Sequence, residues 1–293
     1  MLSIIICSIS PDRLSALKQN LEATVGLEYE IIAVDNRVQK WPIAKAYNYA
    51  ARLAKYPYLF FVHEDVKFHS FGWGEVIINK LMEPDCGVIG FAGSKVKLKT
   101  YSGWGQNYDW VCSYLYQRAH GVTFFDVHNA FLNVPFQEVV VLDGLGMFVR
   151  KDVWACYPFD EVMLTGFHCY DIDFSLQIAA SRKFRNYVCS TNKVLIEHFS
   201  LGNINASWFE DTIRLHKSKW NRILPIQVDG YELSKKKIKK EEERFFNIFL
   251  REILKTDIYL RKVILLEFLF YNSLSWKHFF HCFSTIFRFL KNN

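Results

Sequence analysis

Three things are scarce in this sequence, and each scarcity excludes a class of protein. The seven cysteines, at positions 7, 86, 112, 156, 169, 189 and 282, are scattered, odd in number and contain no C-x-x-C pair. A disulfide framework or zinc finger is not expected from that spacing, and a reducing cytosol fits it best. No uncharged run reaches the ~18 residues of a membrane span. No basic segment precedes MLSIIICSIS, which reads as an opening strand rather than a signal peptide. Glycine is missing from CSISPD, the segment that follows that strand. Dinucleotide-binding and P-loop enzymes bring backbone amides close to phosphate at that point, so the absence argues against both.

What is present is a chain of 293 residues, 51% hydrophobic and 23% charged, enough for a substantial core. That length suits one large α/β domain or a domain with an appendage. Aromatics reach 17%. Charge is divided unevenly: residues 234–293 hold 13 Lys and Arg against 6 Asp and Glu, whereas residues 1–233 hold 23 against 24. A nucleic-acid enzyme spreads its basic excess over the face that meets phosphates, so no nucleic-acid partner is expected.

Strand and helix signals alternate from the N-terminus. LSIIIC is a strand, and Ser10-Pro11-Asp12 reads as a helix start, with a capping hydroxyl, proline at the first position and an acid in the first turn. EIIAV ends at Asp35-Asn36, Pro42 opens a second helix, and YLFFV and GVIGF are further strands. Such a β-α-β-α-β order predicts a parallel sheet with right-handed crossovers and a ligand site beyond the carboxyl ends of its strands. Cys7-Ser8, Asp35-Asn36 and His63-Glu64-Asp65 all fall at those ends. With no glycine loop to hold phosphate, a divalent metal bound by carboxylate is the obvious neutralising group, which makes HED a candidate metal motif.

The order SIIICS, IIAVDN, AYNYAA, FFVHED, VVVLDGLGMFVRKDVW, GFHCYDIDFSLQ, IEHFSLG resembles the family 2 glycosyltransferases of GT-A fold. It is most similar to their bacterial glycosyltransferase-like branch, in which the metal motif reads His-x-Asp. The resemblance covers roughly residues 1–225 and implies a GT-A, Rossmann-like, mostly parallel central sheet flanked by helices. It implies an inverting transfer from a nucleotide-diphosphate sugar, with UDP as the expected nucleotide, to an acceptor hydroxyl in polysaccharide or glycoconjugate synthesis. Mn2+ or Mg2+ is the implied cofactor. Asp35 would contact the base, Asp65 would bind the metal with His198, and Asp171 would be the catalytic base. Ser8, Lys45, Asn48 and Glu64 join the expected nucleotide-sugar site, and Trp104, Asp143, Gly144 and Tyr170 the acceptor side.

The sequence departs from the family pattern at four of these points. His63 replaces the first Asp of Asp-x-Asp, Tyr170 the Glu of Glu-Asp, and Tyr47 and Gln177 stand where arginines are common. A non-catalytic nucleotide-sugar-binding paralogue in a surface-polysaccharide assembly complex is the alternative those departures suggest, and Lys45 and Lys95 are the cations placed to compensate. Plainer roles exist for each residue. Asp65 could cap a following helix, Asp35 and Asp143-Gly144 could form turns, Glu64 could be a supporting or solvated carboxylate, and Trp104 could cover core. Asp171 and Asp173, two apart at a helix start, point in different directions, so one can face a pocket while the other serves the helix.

Residues 226–293 form a second region, expected to be a helical extension. KKKIKKEEER reads as a solvated linker or helix start. Trp276, Phe279, Phe280, Phe283, Phe287 and Leu290 recur at helical spacing, with Lys277, His281, Ser284, Arg288 and Lys291 on the other face. Such a helix either packs back on the first domain or lies on a membrane surface, aromatic face down. The expected location is cytoplasmic, peripheral on the inner face of the plasma membrane, where a glycan or lipid-linked acceptor would be met.

Overall fold

The computed structural model describes residues 1–130, 133–200, 202, 204–256 and 275–291, the side chains of 289 and 290 excepted. Strand β1 (Leu2–Ser8) runs into α1 (Pro11–Thr24), whose N-cap Ser10 accepts from the Arg13 amide, with Pro11 at the first helical position. Strand β2 (Tyr29–Asp35) follows, then α2 (Asn36–Gln39), α3 (Ile43–Leu53) and β3 (Tyr58–Val62). A short β4 (Val66–Phe68) leaves the sheet, and α4 (Trp73–Leu81) leads back to β5 (Cys86–Gly90). Strands β6 (Ala92–Ser94), β7 (Val96–Lys97), β8 (Val111–Ala119) and β9 (Val122–His128) form outside it. The chain continues through β10 (Phe136–Val139), β11 (Val141–Leu142), β12 (Gly146–Arg150), α5 (Lys151–Cys156), α6 (Tyr170–Ala180) and β13 (Arg185–Cys189). Strand β14 (Ile196–His198), helix α7 (Ala206–Leu215) and β15 (Ile226–Gln227) complete this part.

The central sheet has the order β10-β13-β5-β12-β3-β1-β2. Strands β2, β1 and β3 pair in parallel, as do β13 and β5, while β12 and β10 run against their neighbours. The expected α/β architecture, a mostly parallel sheet flanked by helices, is therefore the observed one. Its centre is apolar on both faces: Ile4, Ile5, Phe60 and Phe61 are all fully buried. Helix α3 covers one face with Ala44, Tyr47, Ala50 and Ala51, and Leu17, Leu21, Trp73 and Ile77 cover the other. Phe60 stacks on Phe148 at 3.8 Å between ring centroids, locking β3 to the antiparallel β12.

A second sheet, β11-β6-β8-β14-β4 with β9 added on β8, stands beside the first. Two expectations are corrected here. The segment after His63-Glu64-Asp65 is strand β4, not a helix, so Asp65 has no helix to cap. And VVVL, which the turn reading of Asp143-Gly144 takes as one strand running up to that turn, is split: β10 ends at Val139 and β11, from Val141, belongs to the second sheet. The turn expected at Asp143-Gly144 does join β11 to β12.

The charge run KKKIKKEEER begins helix α8 (Lys235–Ile253), capped by Ser234. Two of its three acids are not solvated: Glu241 and Glu242 are buried, Glu242 accepting from the Lys99 amide. Phe246, Phe249, Leu250 and Ile253 pack with Tyr101, Phe209 and Ile213 of the preceding region. Helix α9 (Trp276–Lys291) packs through Cys282 and Ile286 into this same cluster, with His278 buried beside Phe246. Trp276, Phe280, Phe283 and Phe287 are exposed, whereas the Leu290 side chain, expected in the same stripe, lies outside the described residues. Among the described residues no helix is long and apolar enough to cross a membrane.

Because Phe246 is fully buried against Tyr101, Phe246→Ala should cost about 3–5 kcal/mol of global stability in chemical denaturation. An unchanged unfolding midpoint for the first region would mean that α8 folds independently of it.

Candidate functional site

The strand ends expected to form a rim do so. In the parallel register Ser8 lies opposite Asp35, and the His63 amide, just beyond β3, donates to the Leu145 carbonyl at the start of β12. Ser8, Pro11, Leu14, Ala33, Asp35 and Arg37 line a shallow depression at this edge. Asp35 is exposed and forked onto Arg37, Nε to Oδ1 at 2.9 Å and the terminal nitrogen to Oδ2 at 2.6 Å. It also caps α2 through the Arg37 amide, so the turn role is real and leaves the carboxylate on the surface.

Glu64 explains how CSISPD manages without glycine. Its carboxylate accepts from the Ser8 hydroxyl at 2.6 Å and from the amides of Ile9 and Ser10 at 3.3 and 3.2 Å. The N-terminus of α1, a place where backbone amides attract anions, is thus filled by the protein's own carboxylate. Glu64 belongs to the supporting structure, with both oxygens engaged. Beside it, burial and then Glu64 push the Cys7 thiol up to about 12, far from a reactive thiolate.

The remaining two residues of HED meet a third from far along the chain. Strand β4 pairs antiparallel with β14, setting His198 opposite Val66, and the Phe199 amide donates to the Asp65 carbonyl. His63, Asp65 and His198 then offer ligand atoms that all lie within 4.8 Å of one another. His198 Nε2 is 3.7 Å and His63 Nδ1 3.9 Å from Asp65 Oδ1. Burial raises the Asp65 carboxyl, but the Ser200 hydroxyl and the two imidazoles outweigh it and hold the group below the ordinary carboxylate range. Burial, and then the neighbouring His198, lower His63, favouring the neutral ring that binds metal. Two imidazoles and one ionised carboxylate fit a divalent first-row ion.

Helix α6 delivers the acidic pair. Asp173 is fully buried and accepts from Trp220 Nε1 at 2.9 Å, Lys219 Nζ at 2.8 Å and Gln177 Nε2 at 2.9 Å, which makes it structural. Gln177, one of the departures, is thereby spent on holding Asp173. Asp171 remains partly open to solvent, near Gly144, and burial followed by the repulsion of Asp143 pushes its carboxyl up to about 7. Cys169, the N-cap of α6, sits at φ +64, a left-handed backbone that a non-glycine residue adopts only under constraint from its surroundings.

The other expected residues divide. Trp104, half-buried, donates from Nε1 to Asp143 Oδ2 at 2.5 Å, so the two acceptor-side residues are joined. Tyr170 is 4% exposed, with its hydroxyl turned to His63 and Gly144. Asn48 lies in the core, accepting from Trp154 Nε1 and the Phe159 amide and donating to the Phe159 carbonyl. Lys45 lies over the Trp41 ring at 4.8 Å and Lys95 over Tyr231 at 5.5 Å. Gln117 and Ser200, which surround His198, carry no signal in the sequence, because their role depends on β8 and β14 being neighbours.

A family model described as a glycosyltransferase-like family matches residues 3–215. No curated protein matches the chain. Among solved structures, S. aureus TarS 1-349 in complex with UDP is 14% identical with a TM-score of 0.49, over 96% of this chain and 80% of that one. The mannosyltransferase PcManGT from Pyrobaculum calidifontis, in complex with GDP-Man and Mn2+, is 10% identical with a TM-score of 0.48, over 97% and 84%. A197 from STIV is 16% identical with a TM-score of 0.39, over 68% and 86%.

The two aspartates should respond oppositely to removal. A carboxyl whose folded pKa is raised binds its proton more tightly in the folded state, so it costs stability as pH climbs from about 4 to its folded value near 7. Asp171→Asn should therefore raise the melting temperature at pH 8, less so at pH 5, and the gain should vanish only below about pH 4. Burial raises the Asp173 carboxyl as well, but its bonds from Lys219 and Trp220 work against that, so Asp173→Asn should lower stability by about 1–3 kcal/mol through their weakening. Melting curves at the two pH values check both.

Proposed function

The chain belongs to the glycosyltransferase-like family, and from that premise we propose that it is an inverting transferase that moves a sugar from a UDP-sugar to an acceptor hydroxyl. The observation that carries the reading is the convergence of His63, Asp65 and His198 at the strand ends, with Asp171 one residue beyond the tyrosine that touches His63. Those three residues would hold the divalent cation. When bound, it supplies positive charge for the diphosphate as that group departs. The two imidazoles favour Mn2+ over Mg2+ in this reading, because Mg2+ prefers oxygen ligands throughout.

The nucleotide lies along the depression at Ser8 and Asp35, with Arg37 beside it. Asp171 takes the proton of the acceptor hydroxyl as that oxygen attacks the anomeric carbon from the face opposite the diphosphate. One carbon–oxygen bond forms, the bond to the diphosphate breaks, the proton stays on Asp171 and the configuration inverts. A carboxyl near 7 is well matched to that task, basic enough to accept a proton and about half ionised at neutral pH. Trp104, pinned by Asp143, offers a fixed indole face to the acceptor sugar.

The same proposal places the enzyme at the cytoplasmic face of a membrane, acting on a glycan or lipid-linked acceptor. Its support is helix α9, in which Trp276, Phe280, Phe283 and Phe287 are 79%, 64%, 56% and 61% exposed. Lys277, Arg288 and Lys291 are exposed on the same helix. Each cation near an anionic surface contributes about 1 kcal/mol, and the aromatic face adds burial that salt does not screen.

Calorimetry and transfer assays separate the roles. Asp65→Asn should weaken Mn2+-dependent UDP binding, and equal UDP binding by wild type and variant, with and without chelator, would rule out the metal role. Asp171→Asn should keep donor binding while sugar transfer falls by about 100-fold or more. A wild-type protein that binds UDP-sugar yet neither transfers nor hydrolyses it would instead be a binding paralogue.

For the membrane, Phe280→Asp/Phe283→Asp should abolish flotation with anionic liposomes without lowering the melting temperature, since both rings are exposed. Wild-type protein that stays at the bottom of the gradient would refute docking.

A further inference from the structure

Two side chains around the histidine–aspartate cluster have no part in the chemistry above, yet their hydrogen bonds determine which nitrogen of each imidazole is bare. The Tyr170 hydroxyl lies 2.6 Å from His63 Nε2 and 3.1 Å from the carbonyl oxygen of Gly144. A carbonyl can only accept, and a hydroxyl has one proton. Both contacts are satisfied together only when Tyr170 donates to Gly144 and accepts from an N–H at His63 Nε2. The lone pair of His63 then resides on Nδ1, the nitrogen that faces Asp65 Oδ1.

Gln117 acts in the same way on the other ring. Its Nε2 faces the carbonyls of Ser200 at 2.7 Å, Arg118 at 3.2 Å and His198 at 3.3 Å, three acceptors sharing two N–H protons, which settles which end of the amide is nitrogen. Oε1 is left facing His198 Nδ1 at 3.3 Å and must accept from it. The bare nitrogen of His198 is therefore Nε2, which faces the same oxygen of Asp65; the Ser200 hydroxyl gives its one proton to Asp65 and stands 3.4 Å from Nε2 without donating to it.

We propose that Tyr170 and Gln117 are positioning residues that hold the two histidines in opposite tautomers, so that His63 Nδ1 and His198 Nε2 face one divalent cation beside Asp65. The inference rests on the metal reading of the site. Outer partners of this kind fix ring orientation and ligand basicity. It also joins two departures from the family pattern, because His63 and Tyr170 are each other's partners. An aspartate at 63 has no proton to give the tyrosine oxygen. Gly144 is part of the device: a Cβ there would stand 2.2 Å from the Tyr170 hydroxyl, so any side chain would push the ring off its acceptor.

The test has two arms, both on the full chain without nucleotide. In the first, Mn2+ binding to metal-free protein is measured by calorimetry. Tyr170→Phe should weaken it by about 10–100-fold, Gln117→Leu likewise, and Tyr170→Phe should cause no further loss in a His63→Ala background. A purely structural tyrosine would instead lower affinity equally in both backgrounds, which would overturn the proposal. So would a Tyr170→Phe protein that binds Mn2+ as wild type does. If wild type itself binds no Mn2+, the metal reading fails and this inference with it. The second arm needs no Tyr170 or Gln117 variant. In 15N-histidine spectra of metal-free protein at pH 8, assigned with His63→Ala and His198→Ala, His63 should carry its proton on Nε2 and His198 on Nδ1. The reverse for either ring, or free exchange between tautomers, refutes the assignment.

Discussion

The site depends on one short antiparallel register, Val66–Phe68 against Ile196–His198. Each strand has three residues, so the pairing is held mainly by what lies around it. Val66, Phe68 and Ile196 are buried in the same cluster as Phe60 and Trp73, and β8 pairs with the other edge of β14. A slip of one residue would turn every side chain to the opposite face. His198 would leave Asp65, and the histidine–aspartate cluster would lose its third member.

Around that register, burial raises two carboxyls alike and their neighbours then act on them in opposite senses. Asp65 has two imidazoles and a hydroxyl beside it and is held ionised. Asp171 has Asp143 beside it and is held back from ionising. In the proposed function this separation is what assigns the ligand role to Asp65 and the base role to Asp171. Glu64 and Asp173 show the contrast, since each has its oxygens occupied by donors of the protein itself.

The C-terminal helices belong to this arrangement by packing. Through Phe246 and Phe249, α8 rests on Tyr101, in the loop that also carries Trp104. That loop's position is therefore tied to a helix whose sequence begins as a run of like charges. Helix α9 then adds aromatics that this packing leaves exposed.

Much of the fold was legible in the sequence. Apolar runs that end at Ser8, Asp35 and His63 gave strands whose polar ends share a rim, and Ser10-Pro11-Asp12 gave a helix start, because strand burial and helix capping are local effects. The absence of glycine in CSISPD was legible too, but its consequence was not: an acid 54 residues from Ser10 occupies those amides. Periodicity also missed β4, since three residues carry no pattern. That HED would meet His198, that Tyr170 would bond His63 and that Gln117 would orient His198 were decided only in three dimensions. Hydrogen bonds between residues 81 and 107 positions apart leave no trace in residue spacing. The sequence by itself determined which side chains stand at the strand ends. Sheet register and the single proton of a hydroxyl decided which of their atoms are free to bind.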